Sequence, residues 1–135
     1  MGILCGVDIV EIDRIRHSIE KLGESFLNRV FTESEIEYCE GKKVVKYMSF
    51  AARFAAKEAV SKALGTGISG GVGLKDIEVL NDERGKPFIL LHEGAKLKYK
   101  EIQGKDVALS LSHCENYAVA SAFIQTKERK QKTGV

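Results

Sequence analysis

The sequence predicts an α+β fold, a mainly antiparallel sheet packed with one long helix and several short ones. Three observations carry that prediction. Apolar runs in the second half, 77–80 with 88–91 and 107–112 with 117–124, pair off across short turns as hairpins. Helical patterns stand among them without the strand–helix–strand alternation that a parallel sheet requires. An alanine-rich stretch from about Lys46 to Leu64 supplies the long helix.

Taken in order, Ile3 to Val10 reads as a buried strand, with β-branched residues around Gly6 and Asp8 as its single acid. Ile12, Ile15, Ile19 and Leu22 recur at helical spacing, and Gly23 is the residue type that ends such a helix. Thr32-Glu33-Ser34-Glu35 is a capping-box start that opens a short helix through about Glu40. The 46–64 helix stops at Gly65-Thr66-Gly67, and a glycine-rich loop runs from Ile68 to Gly73. The first hairpin turns between Asn81 and Pro87, residues 93–102 form a modest helix, and the last hairpin turns at His113-Cys114-Glu115-Asn116. The chain of 135 residues shows no internal repeat and no linker, so residues 1–124 are expected to form a single domain.

Charge narrows the function classes. The net charge is +2, but residues 127–135 hold four cations and one acid; without them seventeen cations face eighteen acids, a net −1. The basic bias therefore belongs to a tail, residues 125–135, expected to be solvated and disordered, and the near-neutral body disfavours a nucleic-acid partner. No run of eighteen apolar residues suggests a membrane span, and the N-terminus lacks the pattern of a secretory signal, so a cytoplasmic protein is expected. Cys5, Cys39 and Cys114 are odd in number and far apart, which reads as reduced structural thiols.

The long helix carries the chemistry. At 100° per residue, Arg53, Lys57, Ser61, Glu58 and Lys62 fall on one half of its wheel, and Ala52, Ala55, Ala56, Ala59, Val60 and Ala63 on the other. The alanine arc implies close approach to a neighbouring backbone. Phe50 and Phe54 sit among the ions, where a purely solvated face has no use for them, so another subunit or a ligand is expected to cover that side.

Glu58 and Lys62 alone would be a surface pair one turn apart, contributing a few tenths of a kcal/mol. Asp8 changes the reading, because a lone carboxylate in an apolar strand is costly unless paired, hydrogen-bonded or bound to metal. Two carboxylates, one from a strand and one from a helix, suit a hard cation such as Mg²⁺, with a phosphate substrate completing the shell. Lys62 beside it would neutralise further phosphate charge. Gly65-Thr66-Gly67 reads as a helix stop that can also bring a phosphate close to backbone N–H groups. His113 lies near Ser110 and Ser112, yet the strained Ser elbow of a hydrolase is absent, and His17 and His92 share no zinc-ligand spacing with it.

Two long segments, Gly6-Val7-Asp8-Ile9-Val10-Glu11-Ile12-Asp13-Arg14-Ile15 and Arg53-Phe54-Ala55-Ala56-Lys57-Glu58-Ala59-Val60-Ser61-Lys62-Ala63-Leu64-Gly65-Thr66-Gly67, resemble the signatures of the holo-acyl-carrier-protein synthases. These are the small bacterial class of 4′-phosphopantetheinyl transferases. Phe31-Thr32-Glu33-Ser34-Glu35, Gly85-Lys86-Pro87 and Ser110-Leu111-Ser112-His113 agree in order and spacing. The resemblance spans roughly residues 2–124. It implies a single catalytic domain of the transferase fold that moves phosphopantetheine from coenzyme A to a serine of apo-acyl carrier protein, in support of fatty acid biosynthesis. It also implies a homotrimer with active sites between subunits.

On this chain the resemblance makes Asp8 and Glu58 ligands of Mg²⁺ and Lys62 a stabiliser of the pyrophosphate. Gly65 and Thr66 would line the coenzyme, and Arg53, Pro87 and His113 would reach it across the subunit boundary. Arg14 would contact the acidic carrier protein. The serine hydroxyl that the resemblance implies needs a base: Glu58, directly or through a metal-bound water, is the first candidate, and Glu35, where the family pattern has an acid, is the second. A coenzyme-A-binding protein without catalysis would not need Asp8, Glu58 and Lys62 together, and an obligate structural trimer would leave the acid in the strand unexplained.

Overall fold

The computed structural model describes residues 1–127. Strand β1 (Gly2–Glu11) runs straight into helix α1 (Ile12–Leu22), followed by α2 (Glu24–Val30), α3 (Glu33–Glu40) and the long α4 (Lys46–Leu64). The hairpin β2 (Ile77–Asn81) and β3 (Pro87–Leu91), helix α5 (Glu93–Glu101), and the hairpin β4 (Gly104–His113) and β5 (Tyr117–Thr126) complete the order. Strands β1, β5 and β4 form an antiparallel sheet with β5 in the middle, and β2–β3 form a second, two-stranded one. The α+β expectation with antiparallel sheets holds.

Helix α4 lies across the three-stranded sheet. Its Ala55, Ala56, Ala59 and Ala63 meet Ala120 and Ala122 of β5, all buried. Alanine facing alanine lets a helix backbone approach a sheet closely, the consequence expected of the alanine arc. A second core at the other end of α4 joins Ile12, Ile15 and Ile19 of α1 with Phe31 and Phe50, whose rings lie 5.0 Å apart. Helix α3 begins with the expected capping box: the Thr32 N–H donates to Glu35 Oε1 at 2.8 Å, and the Glu35 N–H donates to Thr32 Oγ1 at 3.3 Å.

Three expectations change, and one helix is new. Strand β1 is buried on one face only; Ile3, Val7 and Ile9 on the other remain 62%, 58% and 65% exposed. The charged half of α4 is open only in part: Phe50, Lys57 and Ser61 are fully buried within this chain, under α1, α3 and β2, while Phe54, Glu58 and Lys62 line a cavity. Helix α2 lacks a sequence signal. It has seven residues, buries only Leu27 and Val30, and starts on the carbonyl of Gly23, the same residue that closes α1. Strand β5 continues to the buried Thr126, two residues past the expected domain edge, while the tail from 128 to 135 lies outside the described residues.

Candidate active site

Gly6 builds the first cleft. A Cβ placed there would lie 2.0 Å from the carbonyl oxygen of Ala59 and 2.8 Å from the nitrogen of Ala63, so only glycine lets β1 rest on the backbone of α4. Asp8 follows on the same face of β1, opposite Ala120 of β5, and Glu58 precedes Ala59 on α4. The two chain segments thus bring Asp8, Glu58 and Lys62 to the wall of one cavity of ≈ 670 Å³, which Arg14 of α1 also lines. Lys62 Nζ donates to Asp8 Oδ1 at 3.0 Å and to the Val7 carbonyl at 2.9 Å. Asp8 is 18% exposed at its side chain, half-buried and paired, as a carboxylate in a strand must be.

Glu58 differs from Asp8 in having no hydrogen bond to its carboxylate among the described residues. Burial raises its pKa above the ordinary value, and the neighbouring Asp8 charge raises it further, with Lys62 opposing both. Two carboxylates that feel each other's charge in one cavity form a hard-oxygen donor set that favours a cation. No group of three His, Cys, Asp or Glu side chains that could hold a metal occurs among the described residues. A divalent ion at Asp8 and Glu58 would therefore draw the rest of its shell from water and substrate oxygens, the manner in which Mg²⁺ is usually held.

A second cavity, of ≈ 560 Å³, opens on the other side of α4 and collects Arg53, Pro87 and His113. The structure brings these three together but keeps them apart from Asp8 and Glu58 within one chain. Lys42 and Lys86 also line this cavity, and no acidic residue does.

Glu35 leaves the list of candidate bases. It is fully buried, and its oxygens are occupied by Lys57 Nζ at 2.7 Å, the Thr32 N–H and the Val79 N–H at 2.8 Å. Lys57 completes its three donors on the carbonyls of Leu74 and Ile77, at 3.0 and 2.7 Å. Burial pushes the Lys57 ammonium below its ordinary pKa, and Glu35 opposes the push. The pair is a structural pin that fastens α3 and α4 to β2, with no access to a substrate. In the sequence Lys57 stands between Ala56 and Glu58, one turn from Arg53, and nothing there marks it as buried.

The Gly65-Thr66-Gly67 turn is a helix stop and not a phosphate cradle. Gly65 takes a left-handed φ of 89°, and the N–H groups of residues 65, 66 and 67 all return to the carbonyls of Lys62 and Ser61. Gly65 and Thr66 lie one turn past Lys62, outside both cavities. Sequence reasoning also passed over a polar cluster at Glu78, which accepts from Thr32 and Ser34 hydroxyls at 2.6 Å and pairs with His92 Nε2 at 2.9 Å. Burial raises the Glu78 carboxyl, but the bonds from Ser34, Thr32 and His92 outweigh it and bring the pKa down to about 2.

Residues 4–122 match the family model of the 4′-phosphopantetheinyl transferase superfamily. A holo-[acyl-carrier-protein] synthase of Ruminiclostridium cellulolyticum is 52% identical over 124 residues, 92% of this chain and 92% of that protein. Among solved structures, the holo-[acyl-carrier-protein] synthase of Neisseria meningitidis superposes with a TM-score of 0.81 at 34% identity, covering 91% of this chain and 98% of that one. The Helicobacter pylori enzyme, solved in complex with coenzyme A, gives a TM-score of 0.80 at 33% identity over 90% of this chain and 100% of that one.

Proposed function

The chain belongs to the 4′-phosphopantetheinyl transferase superfamily, and we infer that it is a holo-[acyl-carrier-protein] synthase. It transfers 4′-phosphopantetheine from coenzyme A to a serine of apo-acyl carrier protein and releases adenosine 3′,5′-bisphosphate. The observation that carries this reading is the convergence of Asp8, Glu58 and Lys62 on one cavity from a strand and a helix.

The serine oxygen attacks the phosphorus that bears the pantetheine arm, and the bond from that phosphorus to the nucleotide's 5′-phosphate oxygen breaks. Such a transfer needs positioning and charge neutralisation more than covalent help. Asp8 and Glu58 would hold Mg²⁺, whose contribution is to neutralise charge on the pyrophosphate and orient it. Lys62 adds a mobile ammonium beside Asp8, half-exposed and free to turn from that carboxylate to a phosphate oxygen. Glu58 takes the serine proton, directly or through water. Arg14, on the rim of the same cavity, is the contact for the acidic carrier protein. Gly65 and Thr66 are assigned to the coenzyme on the resemblance alone.

The same reading makes the working unit a homotrimer in which Arg53, Pro87 and His113 serve the site of a neighbour. Two features support it. The outer face of the sheet carries Ile3, Val7 and Ile9 of β1 beside Phe123 and Tyr117 of β5, an apolar surface that a monomer rarely leaves bare. The two cavities also lie on opposite sides of α4. The reaction is assigned to the cytoplasm, which suits three free thiols and the absence, among the described residues, of a helix long and apolar enough to cross a membrane.

The test is incubation with apo-carrier protein, coenzyme A and Mg²⁺, read by intact mass. The carrier should gain the mass of one phosphopantetheinyl group. An unmodified carrier, with the enzyme folded and coenzyme bound, would overturn the transferase reading. Sedimentation should give a trimer, and a stable, fully active monomer would remove the shared sites.

A further inference from the structure

Arg53 is 4% exposed, yet none of the ion pairs among the described residues involves it. A buried guanidinium normally finds a carboxylate, because desolvating the charge without one is costly. Here its partners are neutral. Nη2 donates to the amide oxygen of Asn81, the guanidinium lies 3.9 Å above the centre of the Tyr38 ring, and Nε has no partner among the described residues. Asn81 is itself anchored, since its Nδ2 donates to the Gly85 carbonyl at 2.9 Å across the β2–β3 turn. The cavity beyond is lined by Lys42, Lys86 and His113 and by no acid.

We propose that Tyr38 and Asn81 are positioning residues that hold Arg53 rigid while leaving its charge uncompensated, so that a phosphate group of the coenzyme supplies the missing anion. The inference rests on the coenzyme A reading above and adds to it the residues that set its phosphate selectivity. A ring face and an amide oxygen fix the guanidinium plane without cancelling its field. A carboxylate at 81 would reach the same nitrogen, neutralise it, and compete directly with an incoming phosphate. The amide at position 81 is therefore a determinant of anion affinity, although Asn81 need not touch the ligand itself.

The test compares Asn81→Asp with Asn81→Ser in the full-length protein, titrating adenosine 3′,5′-bisphosphate and coenzyme A in the presence of Mg²⁺ by calorimetry. Both variants lose the bond to the Gly85 carbonyl, and only Asp adds a charge. Asn81→Asp should bind roughly 10- to 100-fold more weakly than Asn81→Ser, the range of a lost hydrogen-bonded charge contact. Tyr38→Phe, which keeps the ring face, should retain wild-type affinity, whereas Tyr38→Leu should lose it. Equal losses for Asp and Ser, with wild-type protein binding normally, would overturn this inference alone by reducing Asn81 to a turn anchor. Wild-type protein that binds neither ligand would overturn the coenzyme reading and this inference with it.

Discussion

Replacing Gly6 by alanine tests whether the active cleft depends on the contact between β1 and α4. Gly6 is not among the glycines with positive φ, so the alanine meets no backbone strain and its whole effect is steric. The added Cβ would sit 2.0 Å from the Ala59 carbonyl oxygen, where ordinary contact begins at 3.4 Å, so the strand must retreat by about 1.4 Å. The two closest opposing atoms are backbone, and no side-chain rotation relieves them. A rigid retreat would carry the Asp8 carboxylate about 1.4 Å away from α4 and from Glu58 on it, whereas the flexible Lys62 ammonium, 3.0 Å from Asp8 Oδ1, can follow. Overpacking of this kind costs about 1–3 kcal/mol of stability. Misplacing a catalytic group by about 1 Å costs roughly 100-fold in rate. Thermal melts and kcat/KM for carrier modification separate the two effects, because the melt reports the folded fraction. Gly6→Ala protein that is fully folded and within twofold of wild-type kcat/KM would refute the argument that this contact sets the spacing of the carboxylates.

Other expectations are sharper on chemistry than on packing. Asp8→Asn and Glu58→Gln should each abolish transfer while leaving the melt close to wild type, and a chelator should mimic both; full activity in EDTA would refute the metal role. The Glu58 carboxyl, followed by NMR titration in metal-free protein, should move to lower pKa in Asp8→Asn, since the Asp8 charge is one of the causes that raise it; an unmoved titration would mean the two groups do not interact. Glu78 has its pKa depressed from 4.5 to about 2, so its contribution to stability is complete above about pH 4.5 and disappears as pH falls toward 2. Glu78→Gln should remove up to about 3 kcal/mol at neutral pH and flatten the acid limb of the stability curve, and parallel acid limbs would refute that assignment. Arg14→Glu should raise the KM for carrier protein with little effect on coenzyme affinity, and an unchanged KM would remove that contact.

The elements most legible in the sequence were those with strong local chemistry. The α1 span was bracketed by apolar spacing and Gly23, the α3 start by its capping box, and α4 by alanine content and Gly65. The cleft was legible because an acid in an apolar strand is a local anomaly, and Asp8 changed the reading of an otherwise ordinary Glu58–Lys62 pair. Lys57 and Glu35 were not, since each looks like an ordinary surface ion until a third element, β2, closes over both. Their partners are backbone groups of Leu74, Ile77 and Val79, and no residue identity announces a backbone carbonyl. The outward face of β1 was misread for a similar reason. Ile3, Val7 and Ile9 carry the same hydrophobic signal whether α4, another subunit or nothing lies against them.

That misreading and the one about Phe50 exchange places in a way that bears on assembly. Phe50 and Phe54 on α4 suggested a covered face; the covering of Phe50 is the chain's own α1 and Phe31, while Phe54 lines the cavity of Asp8 and Glu58. The uncovered apolar surface is instead the outer face of the sheet, which in the sequence looked like core. Arg53 and Lys62 are nine residues apart on α4, which at 100° per residue sets them on opposite sides and about 13 Å apart along the axis. Buried side chains of the sheet and of α1 flank the helix between them, so a single ligand cannot reach both through one chain. On the proposed coenzyme reading, a cation-rich cavity without an acid among the described residues and a carboxylate cavity with a single lysine would be complementary halves of a site for a ligand that carries both a pyrophosphate and a further phosphate. In the proposed homotrimer a second copy joins them, and the bare β1–β5 face is the surface with which that copy would be held.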